Sequence, residues 1–95
     1  MAMNMRTALD LVKQRLNRTK ADTPLDEYFM QRIAAAADEL KGTGINLTDS
    51  ADDLMLVVDY TVWQYQNRDS AEGMPAWLRL RRRERWLREQ RGGSV

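Results

Sequence analysis

The chain has 95 residues, 43% hydrophobic and 31% charged, which makes one folded globular domain rather than a disordered segment. It contains no Cys and no His, which excludes disulfides, thiolate metal sites, and imidazole as ligand or general base. Net charge is only +1, but residues 1–74 carry 8 Lys and Arg against 12 Asp and Glu, while residues 75–95 carry 7 Arg against 2 Glu. The two regions are therefore −4 and +5, and the planar fork of Arg suits the basic end to an acidic surface. A domain this short buries only roughly 60–65% of the surface its unfolded chain exposes, so a partner subunit is expected to supplement its core. No N-terminal apolar run fits a signal peptide, and the longest apolar stretch, Leu54 to Val58, falls far short of the ~20 residues that span a bilayer. A soluble, unsecreted protein with no membrane contact is expected.

Four helical segments are predicted in chain order. The first runs from about Asn4 to Asn17, with Met5, Ala8, Leu9, Val12 and Leu16 on one stripe. The second opens with Thr23 as N-cap, Pro24 at the first helical position and Asp26 and Glu27 in the first turn. Its face is Leu25, Phe29, Ile33, Ala36 and Leu40, and Gly42 and Gly44 stop it. The third opens at Thr48 to Ser50, with Asp52 and Asp53 in its first turn, and runs to about Arg68. Its valines favour a strand when taken alone, but Leu54, Val57, Val58, Thr61, Val62 and Tyr65 recur at helical spacing, and the cap signals agree. After a loop over residues 67–73, Pro75 starts a fourth helix predicted to span 75–90, ahead of a mobile tail over 92–95. The fold class is all-α, a small bundle of about four helices in a single domain, 1–95.

Two helices carry more than a core face. On the third, Leu56, Tyr60 and Trp63 form a second apolar stripe opposite the first. It marks either a central helix covered on both sides by its own chain or a subunit interface; the interface is the expectation taken forward. On the fourth, Ala76, Trp77, Leu80 and Leu87 form a narrow apolar stripe within an arginine field. Arg79, Arg82, Arg83 and Arg85, with Trp86 as aromatic anchor, are the candidate docking residues for an acidic protein surface. A basic helix with aromatics also suits phosphate contact, so a small nucleic-acid-binding regulator is the alternative, although no helix-turn-helix or zinc motif accompanies it.

Catalytic, cofactor and metal sites are not expected. Asp38-Glu39 and Asp52-Asp53 are adjacent on helices and diverge by about 100°, so neither is an acid–base couple. Gly42-Thr43-Gly44 lacks the Lys and flanking strand of a phosphate loop.

The stretch Asp59-Tyr60-Thr61-Val62-Trp63-Gln64-Tyr65, then Arg68-Asp69-Ser70-Ala71-Glu72-Gly73-Met74-Pro75 and Trp77-Leu78-Arg79, resembles the tailed-phage head–tail connector family, also called head-completion or DNA-packaging adaptor proteins. The helix from Pro24 and the turn at Gly42 to Gly44 extend the likeness over about residues 23 to 90. The resemblance implies a structural, non-enzymatic subunit of the virion head–tail junction, assembled in the host cytoplasm. It implies a homo-oligomeric ring beneath the portal protein that docks a tail or stopper protein. DNA would pass through the ring without sequence-specific binding.

Overall fold

The computed structural model describes residues 4–69 and 73–93, and its helix boundaries follow from local hydrogen bonding. Helix α1 is Met5–Arg15, capped by Asn4, whose side-chain oxygen accepts the Thr7 N–H at 3.1 Å. It stops earlier than the pattern predicts because Asn17 turns left-handed at φ 61°. The Asn17 N–H then bonds the Gln14 carbonyl, and the Arg18 N–H reaches the Lys13 carbonyl at 2.7 Å. Those two hydrogen bonds are the Schellman stop, made with Asn in place of Gly.

Helix α2 is Asp26–Gly42. Thr23 does not cap it; Leu25 holds that position, and Thr23 and Pro24 form a turn in which the Thr23 carbonyl accepts the Asp26 N–H at 3.0 Å. Of the two glycines expected to stop it, Gly42 remains helical and Gly44 ends it at φ 101°. Ile45 then donates to the Leu40 carbonyl at 3.2 Å, and both side chains are buried. Helix α3 is Ala51–Gln66, capped by Ser50, which accepts the Asp53 N–H at 3.2 Å. Helix α4 is Ala76–Gly93, so it runs beyond Gln90, where the sequence pattern ends it. The rest of the expected tail, residues 94–95, lies outside the described residues, as do Ser70, Ala71 and Glu72 of the loop. Among the described residues there is no strand.

Helices α1, α2 and α3 pack pairwise around Leu9, Val12, Phe29, Ile33, Leu40, Val57 and Val58, while α4 packs on α3 alone among the helices. Phe29 and Tyr65 meet edge-on at 5.2 Å between ring centres. Lys13 is fully buried, with its ammonium 2.8 Å from Asp26 and donating to the Lys20 carbonyl, which ties α1 to the start of α2. Every residue from Leu56 to Val62 is buried, the mark of a helix covered all round. Helix α3 is thus the axis of the bundle. The expectation that Leu56 and Tyr60 form a subunit interface is corrected: they are 3% and 6% exposed, so the chain itself buries them.

Candidate interaction face of helix α4

The charges of α3 decide how α4 sits. Asp53 lies in the first turn of α3 and is fully buried, as is most of Asp59 six residues on. Two buried carboxylates need cationic partners, and α4 presents an arginine to each, Arg85 to Asp53 and Arg81 to Asp59. Arg85 grips Asp53 with a fork, Nε to Oδ1 at 2.7 Å and Nη2 to Oδ2 at 3.2 Å. Its remaining donors reach the Asn46 carbonyl at 2.6 Å and Glu89 at 3.1 Å, and Glu89 accepts the Asn46 N–H. Burial pushes the Asp53 carboxyl up, but the Arg85 fork and the Thr48 N–H and hydroxyl outweigh it and hold the group below its ordinary value. The Asp53 carboxylate raises Arg85 in turn, against the opposing effect of burial. Asp59 accepts from both Arg15 of α1 and Arg81 of α4, and Arg88 approaches Asp52 at 3.7 Å.

The consequence is a helix packed polar side in. Leu78 is the only α4 hydrophobe among the buried core residues, with Arg85 buried beside it and Arg81 and Arg82 half-buried on the same side. The opposite side carries Trp77, Leu80 and Leu87, which are 50%, 55% and 36% exposed. The apolar stripe predicted on this helix exists: Trp77 and Leu80 lie on its exposed side, and Leu87 stands at the rim of the groove that Leu56, Asp53 and Arg85 also line.

The sequence-predicted site residues therefore separate. Leu56 sits beneath α4, lining with Arg81 and Arg85 an open groove of about 400 Å³. Tyr60 lies near Arg82 and donates to Glu39 of α2 at 2.8 Å. Burial first, and that bond second, push its hydroxyl above the ordinary value. Trp63 is half-buried, edge-on to Tyr60 at 5.9 Å. Arg85, expected to dock on a partner, is corrected: its donors are consumed by Asp53, Asn46 and Glu89. Arg79, Arg82, Arg83 and Trp86 do come together, with Thr43, around a shallow concavity of about 370 Å³. Trp86 lies over the Gly44 turn, its indole nitrogen 3.3 Å from where a Cβ on Gly44 would stand. Arg79 and Arg83 are exposed and have no ion pair among the described residues.

No group of His, Cys, Asp or Glu among the described residues is arranged to hold a metal ion, and no helix is long and apolar enough to cross a membrane. Comparison with protein-family models, curated proteins and solved structures finds no match for this chain.

Proposed function

We propose that this chain is a structural assembly subunit of the head–tail connector kind, forming a ring beneath a phage portal and presenting a docking surface to a tail or stopper protein. The observation that carries this reading is the outward apolar stripe Trp77, Leu80 and Leu87 on a helix whose inward side is spent on ion pairs. A surface helix normally hides such residues, and an exposed aromatic and aliphatic row rimmed by charge is the composition of a protein interface. The connector family itself enters through the resemblance over residues 59–79. The nucleic-acid reading loses ground for a physical reason. Arg81, Arg85 and Arg88 face the acids of α3, Arg82 lies against Tyr60 and Arg91 has a contact of its own, so Arg79 and Arg83 are the α4 arginines turned to solvent with no ion pair among the described residues. Two cations give a shallow salt dependence, about 0.9 in slope per phosphate neutralised.

The test is mass measurement of the purified chain alone and mixed with a portal protein, with duplex DNA binding followed in parallel. Self-association or a stoichiometric portal complex supports assembly. A strict monomer that ignores the portal and binds DNA with a steep salt slope overturns it in favour of the regulator.

A further inference from the structure

The outward stripe of α4 has a matching surface on the same molecule. The inward side of α2 is Phe29, Ile33, Ala36 and Leu40, so its outward side, half a turn away, is Glu27, Gln31, Ala34 and Asp38. All four are exposed, and Tyr28 and Met30, 40% and 37% exposed, flank them. Glu27 and Asp38 have no ion pair among the described residues, as Arg79 and Arg83 have none on α4. The lengths agree as well. Glu27 to Asp38 rises about 16 Å along α2, and Trp77 to Leu87 about 15 Å along α4, at ~1.5 Å per residue. Ala34 at the centre of the α2 face lets a facing helix approach closely, leaving room for Leu80 and Leu87.

We infer that the α4 stripe of one copy seats on the outer face of α2 of the next copy, with Arg79 and Arg83 directed to the acidic side chains Glu27 and Asp38. This rests on the assembly reading above and names the contact that would build it. The charges also exclude the simpler alternative, a two-fold pairing of α4 with α4. Arg79 and Arg83 border the stripe on one side and Arg88, which is 3.7 Å from Asp52, on the other, with Glu84 as the one acid in line with it, so two such faces set arginine against arginine. A contact between different faces is heterologous, and a heterologous contact propagates into a ring when its rotation closes.

Two charge-reversed chains test it. Arg79→Glu with Arg83→Glu places acids against the native α2 face, and Glu27→Arg with Asp38→Arg places bases against the native α4. Each alone is expected to lose self-association by at least about thirty-fold at low salt, the scale of a central interface residue. An equimolar mixture should reassemble, because every α4 then meets an α2 of opposite charge. All four positions are exposed, so unchanged melting of each variant separates lost association from lost folding. Leu80→Asp in the wild-type background removes the stripe without touching either charge set and should also give a monomer. Single variants that assemble as well as wild type, or a mixture that stays dissociated, overturn this contact and leave the assembly reading standing. A wild-type chain that is monomeric at millimolar concentration but binds a portal protein overturns the contact alone. One that does neither overturns both.

Discussion

Replacing Arg85 by Met keeps most of the side-chain volume and removes the charge that holds α4 to α3. Asp53 is 1% exposed, so the variant strands a buried carboxylate. Removing one partner of a buried ion pair costs ~3–5 kcal/mol. Asp53 still accepts from the Thr48 N–H and hydroxyl at 2.7 and 2.8 Å, which places the expected loss near the lower bound, ~3 kcal/mol. For a domain of this size each kcal/mol shifts Tm by ~4–8 °C, so Tm should fall by ~12–24 °C, read by calorimetry or by urea unfolding. The pH dependence gives an independent check of the cause. In the wild type the Asp53 carboxyl lies below its ordinary 3.8, so its stabilisation is complete above that value and disappears as pH falls through the folded-state one. Without Arg85 the opposing effect of burial dominates and the folded-state value rises above the unfolded one. The variant should then gain stability as pH falls from 7 towards 4, where the wild type gains none from this group. Adding Asp53→Asn should abolish that trend and recover part of the loss. A cost under about 1 kcal/mol for Arg85→Met, with an unchanged pH profile, would refute the assignment of Arg85 as the clasp of α4.

Three further outcomes follow from the same contacts. Leu78→Ala removes the one fully buried hydrophobe of α4 and should cost ~2–4 kcal/mol, with amide exchange accelerating in α4 well before α1 to α3. Gly44→Ala should cost ~1–2 kcal/mol by urea unfolding, because φ 101° is strained for any L side chain and the new Cβ crowds the Trp86 indole. Asp59→Asn removes the carboxylate shared by Arg15 and Arg81, whose side chains are about 40% exposed and can rehydrate, so the loss should be only ~1–2 kcal/mol by the same measurement.

The helices were legible because caps and periodicity agree: Asn4 and Ser50 accept from the first turns of α1 and α3, and the apolar spacing of α3 overrides its β-branched composition. Thr23 misled because a good cap followed by Pro also makes a turn, and the α1 stop was hidden because Asn17 had no glycine to announce it. The double face of α3 was visible, but whether its own chain or a partner covers Leu56 and Tyr60 depends on where α4 lands. That placement was not legible from apolar periodicity. Asp53 already had an explanation as a helix-start acid, and nothing in the apolar spacing singled out Asp59. The usable signal was electrostatic, with Asp53 and Asp59 on one helix answered by Arg81 and Arg85 one turn apart on another. Burial of the acids is what turns that coincidence into a constraint.

Energetics explain why α4 exposes its apolar residues. Rotating the helix half a turn would cover Trp77, Leu80 and Leu87, which are already between about half and two-thirds covered, and would yield ~2–4 kcal/mol in total at ~1.5–3 kcal/mol per fully buried side chain. The same rotation would withdraw Arg85 from Asp53 and Arg81 from Asp59. Stranding Asp53 costs ~3–5 kcal/mol, and Asp59, which keeps Arg15, loses ~1 kcal/mol more with Arg81, or ~4–6 kcal/mol together. The ion pairs win within the single chain. The apolar surface they leave outside retains its ~2–4 kcal/mol for whatever covers it, so the burial that the isolated fold forgoes becomes a driving force for association. In this chain the buried acids of α3 thus select the interface: they turn the arginines inward, and the residues that remain outside are those that favour a neighbour.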